Sequence, residues 1–206
     1  MDTLPRLSTV CLVCVVVFLE TAAARGSRTA ESPRSDRRIA VPVTLVGEGS
    51  SQPDSQVLLE ARQQATMIYD AIDVSLVWTD EPDMYGRQGP IHLVAVVLSD
   101  ARTDQFLKGK NVPSSVLGVA PYETGRVYVF WERIARRARE NEVLPQIVLA
   151  RVLAHEIGHH LLPLQGHSDS GIMRPSVDYS VGEAPAFTLT QAASIRQLLS
   201  EAHPGD

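Results

Sequence analysis

Apolar positions follow two different periods along this chain. The segment "RIAVPVTLV", from Arg38 to Val46, predicts a strand, with Pro42 weakening it or placing it near a sheet edge. In "SQVLLEARQQATMIYDAI" the residues Val57, Leu58, Ala61, Ala65, Ile68 and Ile72 recur at helical spacing. "VSLVW" and "IHLVAVVL" predict two more strands, the second apolar enough for burial on both faces. "SVLGVA" and "RVYVFW" flank "PYETG", whose turn residues predict a hairpin. "ERIARRAREN" starts as a polar helix. "PQIVLARVLAHEIGHHLL" opens on Pro145, which suits a first helical turn, and is apolar almost all round, so it belongs in the interior. Leu162 precedes Pro163, which disfavours helical geometry, so this helix ends at Leu161 or Leu162. "TLTQAASIRQLLSEAH" predicts a last helix capped by Thr188 or Thr190. Strand, helix, strands, hairpin, buried helix, irregular segment and helix make one α+β domain, residues 39–206.

The pattern ahead of Ile39 is of another kind. Residues 1–24 carry one early positive charge at Arg6, an apolar run from Val10 to Leu19, and small residues ending at Ala24. This is the order of a cleaved signal peptide. The run is too short to span about 30 Å of hydrocarbon as a helix, so no stable membrane anchor is expected after cleavage. Cys11 and Cys14 are the chain's two cysteines, and both lie inside the segment. The mature chain would be secreted or periplasmic yet have no disulfide. Residues 25–38, "RGSRTAESPRSDRR", are polar, basic and aperiodic, as in a flexible linker or short pro-segment.

Length and charge narrow the classes. A chain of 206 residues allows one domain, or a domain with a tail. A net charge of −5 offers no general attraction to nucleic acid or anionic membrane, so neither is expected as a partner.

The candidate chemistry lies in "AHEIGHHLLPLQGHSDSGIM". Four of six histidines, His155, His159, His160 and His167, fall in this stretch. His155 and His159 are one helical turn apart on one face, a spacing that lets two imidazoles share one zinc ion. Glu156 lies between them in sequence, too awkwardly placed to be a ligand but able to reach a water at the metal; H-E-x-x-H is thus a metal pair plus a general base. Chance recurrence of the pattern is the bland reading. Against it, burying two imidazoles and a carboxylate on an apolar helix is expensive without a partner. A catalytic zinc takes three protein ligands. His160 points about 100° from His159, which suits a packing or hydrogen-bonding role. Past the helix, Gly166 offers an unusual backbone angle, and His167 follows it. Asp169 is the alternative third ligand.

With these residues in view, "HEIGHHLLPLQGHSDSGIM" resembles a metzincin-type zinc metalloprotease. His155, Glu156 and His159 match that family's H-E-x-x-H, and Met173 in "SGIMRP" matches the methionine of its turn. The chain departs from the pattern at Leu162, where the family has glycine, and at Gln165, where it has the third histidine; here the histidine comes two residues later. The resemblance implies a zincin-like fold: a twisted mixed sheet, a buried active-site helix and a C-terminal helix. It also implies an apolar floor at Met173, which a gap-filling core methionine would equally provide. A substrate would lie extended along an edge strand, for which "SVLGVA" is the candidate.

The function expected is zinc-dependent hydrolysis of peptide bonds in a peptide or protein substrate, with one catalytic Zn²⁺. Glu156 would act as base and proton carrier. Tyr179 is a candidate helper for the oxyanion, although any exposed loop tyrosine would look the same. A zincin-fold binding or structural zinc protein without proteolysis is the alternative, and a hydrolase of other amides remains open.

Overall fold

The computed structural model describes residues 38–80, 91–162, 166–176 and 185–202. The expected signal segment, nearly all of the linker, and Tyr179 lie outside them. Five strands form one mixed sheet: β1 Ile39–Glu48, β2 Val74–Thr79, β3 Leu93–Leu98, β4 Gly118–Val119 and β5 Arg126–Phe130, in the order β2-β1-β3-β5-β4. The first four in that order are parallel neighbours, and β4 runs antiparallel to β5 at the edge. The helices are α1 Ser55–Asp70, α2 Asp100–Leu107, α3 Trp131–Glu140, α4 Pro145–Leu161 and α5 Leu189–Ala202.

Side chains alternate across the strands, and the two faces have different cores. Val41, Val43, Leu45, Leu93, Ala95, Val97, Val127 and Val129 join the main cluster with buried residues of α1, α3, α4 and α5. Val96, Leu98 and Phe130 form a smaller cluster with Phe106 and Leu107 at the end of α2. β3 contributes to both, as its continuous apolar run predicts. Among the described residues no helix is long and apolar enough to cross a membrane.

One expectation needs correction and one element was missing. Pro42 does not mark an edge: β1 is an inner strand, flanked by β2 and β3. The Ile39 N–H donates to Asp73 O on the β2 side, so the even-numbered positions of β1 face β3. The β3 pairing starts only at Val43, one residue past Pro42, so the missing donor falls where no ladder bond is needed. In the segment after α4 a left-handed backbone angle is found at Gly171, with φ 74°. Helix α2 was not predicted. It is eight residues long and buries only Thr103, so its apolar signal is weak. The remaining elements fall where the pattern puts them. Thr188, not Thr190, caps α5: its Oγ1 accepts from the Gln191 N–H at 3.3 Å, and Gln191 Oε1 accepts from the Thr188 N–H at 3.0 Å.

Candidate metal centre

Helix α4 is buried along most of its length because its apolar residues point in all directions; Val148 to Ala154 and Ile157 are covered almost completely. It starts at Pro145 and ends at Leu161, with Leu162 turning out of helical geometry. The Tyr69 hydroxyl on α1 donates to the Ala154 carbonyl at 2.9 Å, anchoring the backbone one residue before His155. Tyr69 follows Ile68 on the apolar face of α1, so the helical spacing could have found it.

His155 and His159 face the same side, and the chain beyond α4 returns to bring His167 to them. The ligand atoms of these three imidazoles lie within 4.8 Å of one another. Their ring centroids are 4.8, 5.2 and 5.0 Å apart. The donor set fits a zinc ion. His155 Nδ1 donates to the Ile172 carbonyl at 2.8 Å, which leaves the lone pair on Nε2. His159 Nε2 lies 3.1 Å from that atom. Two nitrogens on one tetrahedral ion, each at about 2.0–2.1 Å from it, are about 3.3 Å apart. Burial lowers the pKa of His155 despite the opposing Ile172 carbonyl, and the nearby His167 adds to the lowering. His159 is pushed down to about 4, by burial first and then by His155, His167 and His160. Both rings are therefore neutral at physiological pH, the form that binds metal.

The other expected residues divide clearly. His160 turns away and its Nε2 donates to the Arg126 carbonyl at 3.0 Å, tying α4 to β5. Asp169 is exposed and is not part of the three-histidine group. Met173 is fully buried beneath α4 at Gly158, where a Cβ would come 2.5 Å from its sulfur. Glu156 is 7 % exposed, and burial pushes its pKa up to about 8.

The three histidines and Glu156 line one cleft of about 700 Å³. Its other wall includes Gly118 and Val119 of β4, with Tyr122 from the following 3₁₀ turn Tyr122–Thr124. Gly118 is where wall and carboxylate meet. A Cβ there would lie 2.9 Å from Glu156 Cγ and 3.0 Å from its Oε1, so only glycine admits Glu156 in this position without a shift. Arg137 of α3 and Val152 of α4 also line the cleft. Neither Gly118 nor Arg137 was singled out from the sequence. A glycine in a hairpin strand and an arginine on a polar helix are commonplace, and no local pattern points either at Glu156.

No protein-family model matches this chain, and no curated protein matches it. Among solved structures it is similar to archaemetzincin from Methanopyrus kandleri, with 16% identity, a TM-score of 0.46, and coverage of 82% of this chain and 98% of that one. A zinc-dependent peptidase from Methanocorpusculum labreanum is similar with 14% identity and a TM-score of 0.40, covering 77% of this chain and 99% of that one.

Proposed function

We propose that this chain is an exported, metzincin-type zinc metallopeptidase. In this reading His155, His159 and His167 hold one zinc ion and Glu156 is the general base. The observation that carries it is the convergence of three imidazole donors beside a buried carboxylate, in a cleft walled by a sheet edge. Zinc, when bound, supplies Lewis acidity toward water and toward the scissile carbonyl.

The chain's own residues do the rest. Glu156 accepts a proton from the attacking water as its oxygen bonds to the carbonyl carbon. It then passes that proton to the amine nitrogen as the carbon–nitrogen bond breaks. The Ile172 carbonyl holds the His155 ring in one tautomer and orientation. One side of β4 pairs with β5, and its other side offers backbone N–H and C=O groups to an extended peptide. Met173 floors the site by packing under Gly158.

Zinc content of the purified protein and hydrolysis of a mixed peptide library test this together. The expected result is one zinc per chain and hydrolysis that Glu156→Gln reduces by about 10²–10⁴-fold while zinc stays bound. Full activity in Glu156→Gln overturns the mechanism. A zinc-loaded wild type that cleaves no peptide leaves a zinc-binding protein without proteolysis. For export, the N-terminus of secreted material is expected near Arg25; a membrane-retained product starting at Met1 removes that part of the proposal.

A further inference from the structure

Strand β4 is short, and its hydrogen bonds alternate. The Phe130 N–H donates to the Leu117 carbonyl at 2.8 Å, Gly118 stands opposite Val129, and Val119 stands opposite Tyr128. In an antiparallel pair every second residue bonds across to its partner. Leu117 and Val119 therefore bond to β5, while the N–H and C=O of Gly118, between them, turn away from β5. The backbone at Gly118 is not left-handed, so its own dihedral angles do not call for glycine.

The space beside Gly118 does call for it. A Cβ there would lie 2.9 Å from Glu156 Cγ and 3.0 Å from Glu156 Oε1, where packed carbon atoms prefer about 3.5–4.0 Å. It would also lie 3.0 Å from the Tyr128 carbonyl oxygen on β5. Among the described residues no hydrogen bond or ion pair holds the Glu156 carboxylate. The backbone on either side of Glu156 is fixed by burial, at His155 and at Ile157. Packing against β4 therefore decides where the carboxylate lies. An added methyl group would displace the free end of that side chain more easily than it would displace a strand or a buried helix.

We propose that Gly118 is a positioning residue for hydrolysis: its bare Cα sets where the Glu156 carboxylate stands relative to the three imidazoles. This rests on the peptidase reading above. Alanine at this position keeps the outward N–H and C=O, so an extended substrate loses no backbone hydrogen bond. What moves is the base, which must stay within hydrogen-bond reach of the proton it takes. A misplacement of about 1 Å can cost about 10²-fold in rate.

The test compares the zinc-loaded wild type, Gly118→Ala, Glu156→Ala and the double variant on one peptide that the wild type cleaves. Gly118→Ala is expected to lower kcat by about 10²-fold, with KM and zinc content unchanged. In the Glu156→Ala background the same substitution should cost nothing further, either in residual rate or in peptide binding measured without turnover, because the group it displaces is gone. Thermal unfolding makes the comparison independently of activity: Gly118→Ala should lower Tm more when Glu156 is present than when it is alanine. If Gly118→Ala alone fails to fold and the double variant folds, the contact with Glu156 is the cause and the inference stands. If the double variant also fails, the Tyr128 carbonyl is the reason for glycine and the inference is overturned. Full activity in Gly118→Ala, or an equal loss in both backgrounds, overturns it too and leaves the peptidase reading standing. If the wild type cleaves no peptide, both fall.

Discussion

The two halves of the candidate metal centre are built differently. His155, Glu156 and His159 stand on α4, seventeen residues of helix enclosed by the main core. Their relative placement follows from helix geometry alone, and the Tyr69 and His160 hydrogen bonds lock the helix to its neighbours. His167 stands on an exposed stretch of irregular backbone. That stretch is held by a few specific bonds. Ser168 N–H donates to Met173 O at 2.9 Å, Ile172 N–H to Ala186 O at 3.0 Å, and Gln191 Nε2 on α5 to Ser168 Oγ at 3.0 Å. The loop in turn supplies the Ile172 carbonyl that orients His155. The centre thus joins a stiff pair of ligands to a third whose loop is tied to a distant helix by the Gln191–Ser168 bond. Its metal affinity should be sensitive to residues far from the ion on the loop side only.

Removing ligands gives the largest effects. His159→Ala and His167→Ala should each lower zinc affinity by more than the roughly 10–100-fold typical of losing an outer hydrogen-bond partner. His160→Ala should stay within that range. Competitive metal titration measures all three. Normal zinc binding in His167→Ala together with loss in Asp169→Ala would make the loop's ligand a carboxylate and dissolve the comparison.

Next comes the anchor of the soft half. Gln191→Ala removes the bond to Ser168 and should lower zinc affinity by about 10–100-fold. Hydrogen exchange across residues 166–176 should rise with it. Unchanged affinity and exchange would mean that Met173 and Ile172 hold the loop without α5.

A packing change in the floor should act on stability. Gly158→Ala places a Cβ 2.5 Å from Met173 Sδ and 3.2 Å from Phe187 Cε1. Overpacking costs about 1–3 kcal/mol, offset by about 1 kcal/mol of better helix propensity. Thermal unfolding of the metal-free protein should therefore shift down, and adding Met173→Ala should recover part of the Gly158→Ala penalty. A stabilised Gly158→Ala would show that the floor yields to α4 rather than bracing it.

The smallest effect serves as a control. Thr188→Ala breaks the α5 cap without touching Ser168, so it should cost about 1 kcal/mol of stability and leave zinc affinity unchanged. If it weakens zinc as much as Gln191→Ala does, the cap rather than the Gln191–Ser168 bond positions His167.

Much of this was legible in the chain itself. The bounds of α4 follow from Pro145, an apolar run and the Leu162-Pro163 step, and the pairing of His155 with His159 follows from 3.6 residues per turn. The cap at Thr188 and the hairpin at "PYETG" are equally local. Each rests on residues within a few positions of one another, where backbone geometry alone sets who faces whom. Tertiary structure decided the rest. Pro42 reads as an edge signal until β3 is seen to begin its pairing one residue later. Helix α2 has too short an apolar face to announce itself; its Phe106 and Leu107 matter only once β3 and β5 present Val96, Leu98 and Phe130 to them. Gly118 against Glu156 and Gln191 on Ser168 each join residues more than 20 positions apart. Such contacts have no period, because they depend on how whole elements pack and loops close, not on the rotation of one residue relative to the next.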